Sequence, residues 1–210
     1  MNLRGLYAIT SPALCRAPAR LPAAVEAALR GGARLVQYRD KEADAAGRRR
    51  MAETLLTLCR AHGARLVIND DVALAAAIGA DGVHLGASDL PLREARARLG
   101  DGALIGVSCA NVLERALAAQ DAGASYVAFG RFFPSRTKPD APQAEPALLR
   151  QAHGRLRVPL CAIGGITPAN ARPLLEAGAD LVAAVDGVFG DPAPAAIERA
   201  ARAYGRLFDQ

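Results

Sequence analysis

Tryptophan is absent from this 210-residue chain, and aromatic residues of all kinds make up only 4% of it. The core must then be built from Ala, Leu, Val and Ile, and few rings exist on which nucleic-acid bases could stack. Lysine is nearly absent too: Lys41 and Lys138 stand against 24 arginines. No apolar run approaches the roughly 20 residues that a bilayer-crossing helix needs, the longest lying around Val72 to Ala80. No charged-then-apolar leader with a small-residue cleavage site is visible, because Gly5-Leu6-Tyr7-Ala8-Ile9-Thr10 runs into Pro12 and arginines. Cys15, Cys59, Cys109 and Cys161 form no Cys-x-x-Cys pair and have no His at ligand spacing. Structural thiols in a reducing cytoplasm are the expected reading.

A hydrophobic content of 51% in 210 residues suffices for a full core and suits one domain spanning 1–210. The net charge of +5 and pI near 9.4 are basic, yet the arginines are scattered among 21 acids. The densest run, Arg48-Arg49-Arg50, sits in a helix-like stretch and reads as its wet face. Neither a nucleic-acid partner nor a membrane is expected.

The dipeptide Gly-Ala precedes a short apolar run six times, at Gly32, Gly63, Gly79, Gly102, Gly123 and Gly178. Each follows an Ala-, Leu-, Arg- or Glu-rich segment that reads as helix. Glycine there can take the left-handed conformation that ends a helix before the chain turns into a strand. The runs that follow are rich in Val, Leu, Ile and Tyr, as buried parallel strands require. Strands are expected at 5–10, 35–39, 65–69, 82–85, 104–108, 126–130, 159–163 and 181–185. Helices are expected at 21–30, 43–62, 71–78, 91–99, 111–122, 143–153, 168–177 and 192–208. Eight short β/α units in about 200 residues predict an α/β fold, a single-domain (β/α)8 TIM barrel. The rival, an open doubly wound sheet, wants a Gly-x-Gly-x-x-Gly turn after its first strand, where Thr10-Ser11-Pro12 stands instead.

In such barrels chemistry gathers at the C-terminal ends of the strands, and the unusual polar residues fall there. Gln37, Arg39 and Lys41 are spaced by two, so extended chain points all three to one side. One neutral and two cationic donors suit an anion with many oxygens; a polar strand edge is the alternative, which a closed barrel lacks. Lys is a compact point charge where Arg is a flat fork, so each lysine is either a chance survivor or a chosen grip. In Asn69-Asp70-Asp71, Asp71 suits the cap of the next helix and leaves Asp70 for other work. Asp89 follows His84-Leu85-Gly86 and can be read as a second carboxylate of a Mg2+–diphosphate site or as an N-cap before Pro91. His84 is expected in the barrel mouth or wall without a catalytic role, and His62 and His153 near helix ends. Strand five ends at Ser108. The long connection from Arg131 to Pro142 carries Ser135, Thr137 and Lys138 among three prolines and reads as a lid. Gly164-Gly165 and Asp186-Gly187 end strands seven and eight, where barrels of this kind hold phosphate against backbone N–H groups.

From Gly5 to Gly187 the chain resembles the thiamine-phosphate synthase family. The likeness rests on Val36-Gln37-Tyr38-Arg39-Asp40-Lys41, Ile68-Asn69-Asp70, Asp81-Gly82-Val83-His84-Leu85-Gly86, Ile105-Gly106-Val107-Ser108, Pro134-Ser135-Arg136-Thr137-Lys138-Pro139 and Ala162-Ile163-Gly164-Gly165-Ile166. The resemblance implies a transferase that condenses hydroxymethylpyrimidine diphosphate with thiazole phosphate, giving thiamine monophosphate and diphosphate. It implies Mg2+ on Asp70 and Asp89, and the diphosphate among Gln37, Arg39, Lys41, Asn69 and Lys138. Ser108 would face the aminopyrimidine; Ser135, Thr137, Gly165, Val185 and Asp186 would hold the thiazole phosphate. Arg39, Lys41, Ser108 and Lys138 would carry catalysis. Two single positions and one short stretch depart from the family pattern. Ser135 replaces a commoner Thr, Asp186 stands where a small hydroxyl residue is common, and Cys109-Ala110-Asn111 replaces a Thr/His-containing stretch. A carboxylate beside phosphate would repel it, so the Asp186 side chain is expected to turn away. The alternatives are a thiazole tautomerase-like relative, or a sensor that binds phosphate ligands without catalysis. Oligomeric state is left open, a homo-oligomer included.

Overall fold

In the computed structural model, which describes residues 3–135 and 142–209, eight parallel strands close into a barrel in the order β1 to β8. The chain runs β1 (Gly5–Ile9), α1 (Pro12–Cys15), α2 (Leu21–Arg30), β2 (Leu35–Tyr38), α3 (Ala45–Ala61), β3 (Arg65–Asn69), α4 (Val72–Ile78), β4 (Gly82–Leu85) and α5 (Leu92–Leu99). It continues through β5 (Leu104–Ala110), α6 (Leu113–Asp121), β6 (Tyr126–Phe129), α7 (Pro146–His153), β7 (Leu160–Ile163), α8 (Arg172–Glu176), β8 (Leu181–Ala184), α9 (Asp186–Phe189) and α10 (Pro194–Gly205). The expected (β/α)8 barrel is present.

Alternation along each strand makes two cores. One face packs outward against the helices: Leu6, Val36, Leu66, Val83, Ile105 and Val127 join the apolar stripes of α2, α3 and α10. The other fills the lumen with Tyr7, Leu35, Val67, Leu104, Tyr126, Cys161 and Leu181. The lumen narrows where two tyrosine rings meet edge to face, Tyr7 and Tyr126, with centroids 5.8 Å apart. Gly106 makes room for them, since a Cβ at that position would overlap the Tyr126 ring. Gly106→Ala is expected to cost about 1–3 kcal/mol through overpacking and to lower the melting temperature by several degrees. A variant melting with the parent would show that the Tyr126 ring is not locked there.

Several boundaries depart from the sequence expectation, each for a local reason. β2 stops at Tyr38 rather than 39, so Arg39 and Lys41 lie in the following loop. β5 runs on to Ala110 past a register shift between Ser108 and Ala110, with Ala110 at φ 50°. The helix expected over 168–177 contains only Arg172–Glu176, because Asn170 turns back to accept from the Thr167 amide. α1 and α9 were not expected; four residues are too few for any periodicity to be read. In α1, Ser11 caps the Leu14 amide and Pro12 opens the turn. Asp44 and Asp71 cap α3 and α4 by accepting from the Gly47 and Leu74 amides.

Candidate active site

Beyond the C-terminal ends of the strands lies a cavity of about 700 Å3. From β2 and its loop it is lined by Gln37, Arg39 and Lys41, and from β3 and β4 by Asn69, Asp70 and Asp89. β5 contributes Ser108, the long connection Ser135, and the ends of β7 and β8 Gly165, Val185 and Asp186. Thr137 and Lys138 lie outside the described residues.

One wall is charged. The Thr10 hydroxyl accepts from the Arg39 amide at 2.9 Å and donates to the Arg39 carbonyl at 3.2 Å, holding that loop to the end of β1. Lys41 Nζ lies 3.4 Å from Asp70 Oδ2, with the lysine side chain largely in solvent. Asn69 Nδ2 donates to the same carboxylate oxygen at 2.5 Å. Asp70 sits at φ 62°, a left-handed backbone that Asp tolerates better than most residues. Burial, and then the neighbouring Asp89 carboxylate, push the Asp70 carboxyl up, with Lys41 opposing. Burial also works against a charge on Asp89, but its hydrogen bonds with Asp70 and from the Gly86 amide hold it below the usual carboxylate range. The Gly86 amide donates to Asp89 Oδ2 at 2.6 Å, whereas α5 begins after Pro91 with no side-chain cap. Asp89 is therefore not the helix N-cap that its spacing also allowed. Two adjacent carboxylates, one resisting ionisation, make an oxygen-donor pair that suits a hard divalent cation. Among the described residues no group of three or more His, Cys, Asp or Glu converges.

The opposite wall is backbone. Gly165, at φ +62°, lies so close to Pro134 that a Cβ would overlap the proline carbonyl oxygen. Asn170 Nδ2 donates to the Gly165 carbonyl at 3.1 Å, and Tyr204 reaches in from α10 to donate to the Ile166 carbonyl at 2.7 Å. Asp186 opens the single turn α9 and is exposed at the rim.

The sequence reading missed what lies between. Gln37 Nε2 donates to Tyr7 Oη at 2.5 Å, and Tyr7 Oη lies 2.9 Å from Tyr126 Oη. Tyr126 Oη is 3.0 Å from His84 Nδ1, and His84 Nε2 is 2.9 Å from Ser108 Oγ. His84 thus stands in the lumen, buried and hydrogen-bonded through both ring nitrogens. Burial raises both tyrosine hydroxyls above their ordinary range, so they keep their protons. The period-two placement of Tyr7 and Tyr126 on their strands was a readable signal for this chain. Arg131, just after β6, was equally readable as a strand-end cation, while nothing distinguishes Arg115 on α6 from other helix arginines; both line the cavity. The thiols offer no nucleophile: all four are unbridged, and burial pushes even the least buried, Cys15, up to about 11.

A family model described as thiamine monophosphate synthase matches residues 6–188. The chain belongs to this family. Thiamine monophosphate synthase family relatives include the thiamine-phosphate synthase of Thioalkalivibrio sulfidiphilus, 54% identical over 99% of this chain and 97% of that protein. The thiamine-phosphate synthase of Marinobacter nauticus is 53% identical over 97% of this chain and 90% of its own length. Among solved structures, the thiamine phosphate pyrophosphorylase of Pyrococcus furiosus superposes with a TM-score of 0.87 at 33% identity, covering 99% of this chain and 96% of that one. The family and the type of enzyme expected from the strand-end motifs are those that these relatives carry by name.

Proposed function

We propose that the protein joins a pyrimidine carried on a diphosphate to a thiazole phosphate, releasing thiamine monophosphate and diphosphate. The observation that supports this most is the convergence of Arg39, Lys41, Asn69, Asp70, Asp89 and Ser108 on one cavity. The carboxylates Asp70 and Asp89 are the residues to hold Mg2+. That ion usually keeps water and takes its other ligands from phosphate oxygens, which agrees with a site of only two carboxylates. When bound, it would neutralise charge on the departing diphosphate.

Arg39, Lys41, Asn69 and Lys138 bind the diphosphate oxygens; Gln37, expected among them, is buried in the lumen against Tyr7, and we reassign it from the diphosphate to the pyrimidine, which it holds together with Ser108. Ser135, Thr137 and the backbone at Gly165, Val185 and Asp186 hold the thiazole phosphate. The bond between the pyrimidine's methylene carbon and the diphosphate oxygen breaks, with the electron pair leaving on oxygen. An electron-rich aminopyrimidine supports the cation left behind. The lone pair of the thiazole nitrogen then closes the new carbon–nitrogen bond, and no proton moves in this exchange. The task is positioning and charge neutralisation, worth on the order of 7–11 kcal/mol for the first and several more for the second. Cations, carboxylates and hydroxyls suit that task; Ser108 and His84 do pair at 2.9 Å, but His84 Nδ1 faces the Tyr126 hydroxyl and not a carboxylate. The four unbridged thiols agree with a reducing cytoplasm, and no described helix is long and apolar enough to cross a membrane.

The deciding experiment supplies both substrates and Mg2+ to the purified protein and measures thiamine phosphate and free diphosphate. Stoichiometric appearance of both is expected. Binding of thiazole phosphate without diphosphate release would leave the tautomerase-like or sensor reading in its place.

A further inference from the structure

The hydrogen-bond chain through the lumen connects the two side chains assigned above to the pyrimidine, and its direction has a consequence for which pyrimidine is accepted. Each link constrains the next, because a neutral phenol has a single proton to give. Gln37 donates to Tyr7, so Tyr7 passes its own proton towards Tyr126. Tyr126, already accepting, donates to His84 Nδ1. A neutral imidazole accepting at Nδ1 carries its proton on Nε2 and donates it to Ser108 Oγ. Ser108 is then left with its own proton to give, and Gln37 with its carbonyl oxygen to offer.

We propose that Tyr7, Tyr126 and His84 are positioning residues that fix the donor–acceptor polarity of Gln37 and Ser108, so that the cavity accepts an aminopyrimidine and refuses its oxo counterpart. This rests on the reading of Gln37 and Ser108 as the pyrimidine contacts. An aminopyrimidine edge carries an N–H donor beside a ring-nitrogen lone pair; in the oxo compound the same edge carries an acceptor beside an N–H donor. The two patterns are inverse, so a site ordered for one leaves buried polar groups unpaired against the other. Turning a single link leaves two donors or two acceptors facing each other, a loss that burial leaves uncompensated. The five groups therefore reverse together or not at all. Tyr7 and Tyr126 are each no more than 1% exposed, so water offers no substitute partner within the chain.

Two measurements test this on the full-length protein near neutral pH. The first is the 15N spectrum of the imidazoles, in which His84 is separable from His62 and His153 on the outer helices. A neutral His84 protonated on Nε2 is expected; a proton on Nδ1, or on both nitrogens, overturns the proposal. The second compares kcat/KM for the amino- and oxo-pyrimidine diphosphates in the parent and in Tyr126→Phe, which cuts the chain in its middle without changing ring shape. The parent's preference is expected to be on the order of a hundredfold or more and to fall at least tenfold in the variant. A general loss of packing would lower both rates together and leave their ratio alone. A Tyr126→Phe protein that rejects the oxo compound as completely as the parent counts against the relay. Should that variant not fold, Tyr7→Phe, which frees the Gln37 amide to turn, is expected to relax the same ratio. If the parent releases no diphosphate from the amino compound, the proposed reaction falls, and the imidazole spectrum still decides the polarity of the chain.

Discussion

Lys41→Ala is expected to lower turnover by about two to three orders of magnitude, the usual effect of removing one group that stabilises developing charge. Its fold should be untouched, because the side chain is largely solvated and its 3.4 Å pairing with Asp70 is the kind of exposed contact that adds little stability. The consequence is chemical. In the proposed reaction diphosphate leaves with its negative charge growing, and the compact ammonium of Lys41 at the cavity wall would meet it. Loss of Lys41 also deprives Asp70 of the cation that opposes the upward push of burial on its carboxyl. Steady-state kinetics at saturating substrate, with a thermal melt as control, make the check. A variant that melts like the parent and turns over near its rate would remove Lys41 from the mechanism. Lys41→Arg is expected to recover only part of the loss, since the planar guanidinium presents its charge in a different shape.

The second large effect is expected at the carboxylate pair. Asp70→Asn retains a residue that tolerates φ 62°, so it isolates the charge from backbone strain in a way that alanine would not. Losing even a group that only orients a metal ligand typically costs roughly 10–100-fold in affinity, so loss of the ligand's own charge is expected to raise the Mg2+ concentration for half-maximal activity by at least about tenfold. The parallel Asp89→Asn variant should move the same midpoint in the same direction. Titrating activity against Mg2+ reads both, and a midpoint unchanged in either variant rejects that residue as a ligand.

What could be read without coordinates followed local rules. Helix-ending glycines before apolar runs marked the β/α repeat, and the strand ends carried almost all the polar residues that line the cavity. Gln37, Arg39 and Lys41 were grouped by a period of two, and the cavity brings them together although β2 ends at Tyr38. There the loop continues the alternation because Thr10 ties the Arg39 backbone to β1. The choice between Asp89 as cap and Asp89 as carboxylate partner was open from spacing. It closed only when the Gly86 amide was seen to take one of its oxygens and Asp70 to lie beside it.

The chain alone determined the number of strand–helix units, the barrel they form and the chemical character of its rim, because these depend on periodicity and on residue type. The tertiary structure decided which inward-facing groups touch. Tyr7, Gln37, His84, Ser108 and Tyr126 come from five different strands, up to 119 residues apart in the closest pair of hydroxyls. Their contacts exist because closing the sheet brings β1 round to β6 across the lumen, a distance that no local pattern encodes.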